Sequence, residues 1–200
     1  MQRRGPRGDI DEARILRAAD ALLAERGDID GISLRSIAAE VGVAVNALYT
    51  YFPSLRAIWH DLADERLGLL RPTELLDIGC SHCAVLELVD RAGAMAAVPG
   101  TLSLLRAQPV LGRNSFALSE TIMTLTEHGS ISPRNAHDLI VGWFYGSSVL
   151  DSEGWTSGTD VIRASEPLPE FPRIADRDAA DRHEQAEAIL RGIGLSCQRL

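Results

Sequence analysis

The chain has 200 residues, 46% hydrophobic but only 5% aromatic, enough to bury a substantial core of Leu, Ile, Val and Ala of the kind packed helices make. No apolar run reaches the roughly 18 residues of a membrane span; the basic, polar start from Met1 to Gly8 lacks the apolar segment of a secretory signal, and three cysteines are too few for a disulfide framework, which points to a cytoplasmic protein. The net charge of −8 is uneven: residues 1–60 hold eight arginines against eight acids, residues 61–200 hold twelve against twenty, and there is no lysine anywhere, so an acidic rear would repel phosphates while a neutral front would not.

Helical periodicity begins near Asp11. Ile15, Ala18, Ala19, Leu22 and Leu23 fall on one face, and Gly27 stands where a helix ends. Ser33 predicts the cap of a second helix from Leu34 to Val41, stopped by Gly42. A third is expected from Ala44 to Tyr51, barred from continuing by Pro53, and a fourth from Ser54 to about Leu70, with Leu55, Ile58, Trp59, Leu62, Arg66 and Leu69 at helical spacing. Arg71-Pro72-Thr73 predicts a break. Further helices are expected over Cys80 to Val98, Thr101 to Ala107 and Ser115 to Glu127, with a turn from Pro109 to Asn114. Ser132-Pro133 starts a long apolar helix to about Ser152. Residues 153–172 read as a loop, and a last helix as Asp176 to Arg191. The expected fold is all-α.

The stretch from Ser33 to Pro53 has the spacing of a helix-turn-helix. Ile37 and Ala38 turn the first helix inward, and small Ala38 and Ala39 let the two helices approach. Gly42 accepts the positive φ of a tight turn, and Val43 and Leu48 plug the angle between the helices. The second helix then projects Val45, Asn46, Ala47 and Thr50 outward, where a major groove presents base edges.

The wider pattern resembles the tetracycline-repressor (TetR) family over residues 10–60. It comprises a helix ending in Ala24-Glu-Arg-Gly27, the helix and turn from Ser33 to Val43, and then Ala47-Leu-Tyr-Thr-Tyr-Phe-Pro-Ser54 before a long helix. The resemblance implies a DNA-binding domain over residues 1–53 and a helical ligand-sensing and dimerisation domain over residues 54–200. It implies a homodimer bound to a palindromic double-stranded operator and released by a small organic effector, with no cofactor and no membrane partner. Arg35 matches an arginine that contacts base or phosphate. Val45, Asn46 and Ala47 match the base-reading start of the recognition helix; Asn46 suits adenine, and Val45 and Ala47 suit thymine methyls. Tyr49 and Tyr51 match phosphate-touching positions, while Phe52 reads as core. Where the family has a lysine, this chain has Leu55, so that contact is lost or passes to Arg56, and backbone N–H groups at Ser54 to Ala57 remain to hold a phosphate. Arg3, Arg4 and Arg7 read equally as a DNA-contacting arm or a solubilising tail.

The rear of the chain is also similar to the tetracycline repressor's own branch, through Leu104-Leu-Arg-Ala-Gln-Pro109, the helix near Glu120, Gly142 to Leu150, and His183 to Ile193. This implies that the last two helices pair with their twins in a dimer. The turn Val110-Leu-Gly-Arg-Asn114 lacks the histidine of a magnesium–tetracycline site, so an apolar pocket for another organic ligand is expected. Its candidate lining is Trp59, Met95, Leu102, Leu105, Arg106, Phe116, Glu120, Met123 and Trp143; each reads also as plain core, and Trp143 and Phe144 also as dimer interface. Cys80-Ser-His-Cys83 is set aside as a metal site because Cys197 lies far along the chain and no fourth ligand is evident. No phosphate loop, nucleophile elbow or paired His-Glu metal motif supports an enzyme. The alternative reading is a small-molecule-binding helical protein with a vestigial DNA motif.

Overall fold

The computed structural model describes residues 10–152 and 181–197. These form helices and no strand, as expected, and none of the helices is long and apolar enough to cross a membrane. The chain divides into two compact units: Met1–Arg71 with Ala94–Leu118, and Pro72–Gly93 with Ser119–Leu200.

In the first unit, α1 spans Glu12–Arg26. Asp11 caps it by accepting from the Arg14 N–H at 2.7 Å, and Gly27, at φ 73°, closes it. Ile15, Leu16, Ala18, Ala19 and Leu23 are buried along one face. Helix α2 is Leu34–Val41, α3 is Val45–Leu48 and α4 is Leu55–Gly68. Helix α1 packs on both α2 and α4. The third helix is therefore shorter than expected. After Leu48 the chain turns through i→i+3 bonds, Thr50 N–H to Ala47 O and Tyr51 N–H to Leu48 O, because Pro53 pushes Phe52 out of the helical region. Ala39 is exposed and so plays no part in the close approach of α2 and α3.

Helix α4 is fixed by a charge in the core. Arg66 is 5% exposed, and its guanidinium donates to the Asp20 carboxylate on α1 and to the Thr101 hydroxyl. Thr101 opens the short helix α6, Thr101–Arg106, which packs on α4; between Ala96 and α6, Gly100 sits at φ 78° with its Cα facing Leu23. Helix α7 is Arg113–Leu125. It starts two residues before the expected Ser115 because its cap comes from another helix. The Asp64 carboxylate on α4 accepts from the Asn114 and Ser115 N–H groups, at 3.1 and 2.8 Å, in the manner of an N-cap side chain.

The expected break at Arg71-Pro72 is a left-handed Arg71, φ 46°, the last residue of the first unit's leading segment; the second unit begins with a 3₁₀ helix over Pro72–Ile78 that sequence periodicity did not announce. Helix α5 is Ser81–Ala96 and α8 is Pro133–Ser152. Ser132 caps α8, accepting from the Asn135 N–H at 3.3 Å. The last described helix, α9, is Arg182–Gly192, capped by Asp181; residues 176–180 of the expected helix and the expected loop at 153–172 lie outside the described residues. Helix α9 packs on α8. Val85, Leu88 and Val89 of α5, Ile140 of α8, and Ala186 and Leu190 of α9 are buried.

Candidate nucleic-acid interface

The turn between α2 and α3 is built by local chemistry. Ser33 and Ser36 cap α2 reciprocally: the Ser33 hydroxyl accepts from the Ser36 N–H at 3.2 Å, and the Ser36 hydroxyl accepts from the Ser33 N–H at 2.9 Å. Gly42, at φ 80°, donates to the Ala38 and Ala39 carbonyls, and Val43 N–H also reaches the Ala38 carbonyl at 2.9 Å. A residue with a side chain would strain that turn. From α1, Arg14 Nη2 donates to the Val41 carbonyl at 2.9 Å and closes the end of α2. Ile37 and Leu48 are fully buried and Val43 half-buried between the helices.

This scaffold leaves one surface in solvent. Arg35, Asn46 and Thr50 are exposed, Tyr49 is 53% exposed, and Val45 and Ala47 are half-buried beside them. Ile32, Ser33, Leu34, Arg35, Val45 and Leu55 line a shallow open depression of about 540 Å³. The structure thus brings Arg35 to the start of α3, and Leu55 occupies the same depression as an apolar side chain.

Tyr51 and Arg56 are engaged elsewhere. The Tyr51 hydroxyl donates to the Ile10 carbonyl at 2.6 Å and pins the chain ahead of α1, so that proton is not free for a phosphate. Arg56 is exposed, but its Nε donates to the Gln108 side-chain carbonyl while Gln108 Nε2 donates back to the Arg56 carbonyl at 2.8 Å. At the start of α4 the Ala57 N–H is taken by the Ser54 hydroxyl at 3.2 Å, which removes one of the backbone donors expected to hold a phosphate. Arg3, Arg4 and Arg7 lie outside the described residues.

The candidate ligand-lining residues divide between the units. In the first, Trp59, Met95 and Leu105 are buried, Leu102 is half-buried, Arg106 is exposed and Phe116 is 59% exposed. In the second, Glu120 is exposed and Met123 half-buried. Trp143 stacks edge-on to Phe144 at 6.4 Å and its Nε1 donates to Gln185 Oε1 at 2.8 Å. Around it Val85, Val89, Ile140, Ala186, Ile189 and Leu190 pack too closely to admit a water molecule, and Trp143 is half-buried against them.

Sequence reasoning missed two clusters. Asp64 at the start of α7 has no signal in local spacing, since the cap and the helix it serves are about fifty residues apart. Cys197, set aside as distant, lies against Cys80 and Cys83, because α9 folds back along α8 and carries the following segment to the start of α5.

The family model described as "Bacterial regulatory proteins, tetR family" matches residues 15–61, which contain most of α1, the whole helix-turn-helix and the first half of α4. No curated protein sequence matches the chain. Among solved structures, the fold is similar to that of apo ActR from Streptomyces coelicolor, with 20% identity, a TM-score of 0.78, and 94% of this chain and 96% of that one covered. It is also similar to a possible TetR family transcriptional regulator from Streptomyces coelicolor A3(2), at 18% identity and a TM-score of 0.75 over 91% of this chain and 98% of that one. ActR in complex with actinorhodin matches at 17% identity and a TM-score of 0.73, over 93% and 97%. The exposed α2–α3 surface lies within the segment that matches the tetR family model, and the all-helical fold is that of these solved structures.

Proposed function

We propose that the protein is a homodimeric transcriptional repressor that reads a palindromic operator through α2 and α3 and leaves it when a small organic ligand binds. The observation that carries this reading is the exposed set Arg35, Asn46, Tyr49 and Thr50 on a helix-turn-helix held by reciprocal caps and a left-handed Gly42. Val45, Asn46 and Ala47 meet base edges; Arg35 and Tyr49 meet the backbone. Thr50 flanks the bases, Arg56 supplies a positioned guanidinium in place of the family lysine, and Tyr51 acts by fixing the chain before α1.

On α8, Leu139 is 46% exposed, and Gly142 and Gly146 are exposed with open space about them. Their spacing puts an apolar, close-approach stripe on one face, which supports pairing of α8 and α9 with their twins. In the dimer the two recognition helices sit about 34–36 Å apart, one turn of DNA. A ligand that prefers another spacing releases the operator by its differential affinity. ActR crystallised with actinorhodin and with (S)-DNPA supports an organic effector for a body of this fold.

The test is retardation of the protein's own upstream DNA. Specific retention at moderate salt, lost in the Asn46→Ala and Arg35→Ala proteins, is expected; uniform weak binding to all fragments would overturn the reading. Leu55 favours a second reading, a ligand-binding protein whose DNA motif is vestigial, and that reading holds if Arg35→Ala leaves the regulated transcripts unchanged.

A further inference from the structure

We propose that Cys80, Cys83 and Cys197 form a three-thiolate site for a soft, tetrahedral divalent cation of the zinc class. The Cys80 and Cys197 sulfurs are 3.8 Å apart, the Cys83 and Cys197 sulfurs 3.6 Å, and all three converge within 4.8 Å of one another. A disulfide brings its sulfurs to about 2.05 Å, so the three are separate thiols. A tetrahedral ion with metal–sulfur bonds of about 2.3 Å places its thiolates roughly 3.8 Å apart. The spacing is thus that of three corners of a thiolate tetrahedron.

The two elements that bring the thiols together are ordered by packing. Cys80 precedes the first residue of α5; its carbonyl accepts from the Ala84 N–H at 2.9 Å, and its sulfur accepts from the Cys83 N–H at 3.5 Å. A sulfur thus stands where a serine or aspartate oxygen commonly caps a helix, and Cys83 lies one turn on. Cys197 arrives by a built route. Leu195 N–H donates to the Leu190 carbonyl at 2.8 Å, Gly194 turns at φ 77°, Ser130 N–H holds the Ile193 carbonyl at 2.7 Å, and Ile193 and Leu195 are buried. Between the two, His82 Nε2 and Glu187 Oε2 meet at 2.9 Å and tie the first turn of α5 to α9.

Entry of the cation forms three metal–sulfur bonds and passes the thiol protons to solvent. All three cysteines are half-buried, so solvent reaches the cluster and supplies the fourth ligand.

The full chain, reduced, chelator-stripped and kept free of oxygen, is titrated with Co²⁺ as a spectroscopic probe and then with Zn²⁺. One equivalent of Co²⁺ is expected to give thiolate-to-cobalt charge transfer in the near ultraviolet and strong tetrahedral bands in the visible, both bleached by one equivalent of Zn²⁺. Zn²⁺ should also shield all three thiols from a thiol reagent. The Cys197→Ser protein, altered outside any helix, should keep its helical circular dichroism and lose the signal. Absence of charge transfer in the wild-type protein, or an unchanged signal in Cys197→Ser, overturns the proposal. Were Cys197→Ser to misfold, thiol shielding in the wild type still decides it.

Discussion

Helix α7 owes its start to a side chain from α4, and this makes a sharp prediction. In the N-cap position of α7 stands Gly112, whose N–H is held by the Ser115 hydroxyl at 2.9 Å, which is half of a reciprocal cap. The other half comes from Asp64, which reaches the Asn114 and Ser115 N–H groups and, at 3.2 Å, the Asn114 amide. Gly112 is what lets Asp64 in, since a Cβ there would lie 2.3 Å from the carboxylate carbon. Removing the cap in Asp64→Ala costs about 0.5–2 kcal/mol, and the lost charge at the helix start adds roughly 0.3–1 kcal/mol. Gly112→Ser alone evicts the carboxylate and exchanges one cap for another, with little or negative net effect. In the Asp64→Ala background the same serine fills vacated space and restores a local cap, recovering about 1 kcal/mol. Urea denaturation of the wild type, both single variants and the double variant closes a cycle. The coupling should exceed the roughly 0.3–0.5 kcal/mol scatter of independent sites. If Gly112→Ser shifts stability equally in both backgrounds, the cap from α4 is not what starts α7.

Three further outcomes follow from the same physics. Asn46→Ala should cost specific operator binding about 1–3 kcal/mol and relax preference at one base pair, whereas Arg35→Ala should weaken binding to all sequences and lower the salt slope by about one, as measured by fluorescence titration over a salt series. Gly100→Ala should destabilise the first unit by about 2 kcal/mol or more in thermal melts, because it forces a side chain into a left-handed backbone and to 2.4 Å from Leu23 Cγ; an unchanged melting temperature contradicts the packing described. Glu65 has its carboxyl held above the usual range, first by desolvation and then by Asp20 and Asp61. The folded state thus binds the proton more tightly than the unfolded one, so this group favours folding below its unfolded value and loses that contribution as pH rises through the folded value. Glu65→Gln should therefore raise stability at neutral pH relative to wild type, with the difference vanishing in acid; a gain that persists unchanged at low pH contradicts the cause.

Elements fixed by neighbours in the chain were legible in advance. Ser33, Ser54, Gly27, Gly42 and Pro133 act on their own turns, and α1, α2, α4 and the start of α8 stand where those residues put them. The errors lie where distant residues decide. The start of α7 depends on Asp64, about fifty residues upstream. The end of α3 depends on a contest between helical continuation and the restriction that Pro53 places on Phe52, and periodicity cannot weigh it. Of the α2–α3 surface, the outward set Asn46 and Thr50 was visible in the pattern, but the use of the Tyr51 hydroxyl inside the protein was not, because its acceptor, Ile10, is forty-one residues away. The cysteine cluster is the extreme case, joining positions 117 residues apart.

The buried Arg66 has a consequence for motion. A guanidinium shared between Asp20 of α1 and Thr101 of α6 holds its geometry only if α1, α4 and α6 keep their mutual distances, and breaking one arm leaves a charge stranded in low dielectric. The cheap displacements of α3 are therefore those that carry α1, α4 and α6 along with it. Amides within α1, α4 and α6 should then keep the same hydrogen-exchange protection with and without the proposed effector, and any effector-dependent exchange should be confined to segments outside this clamp.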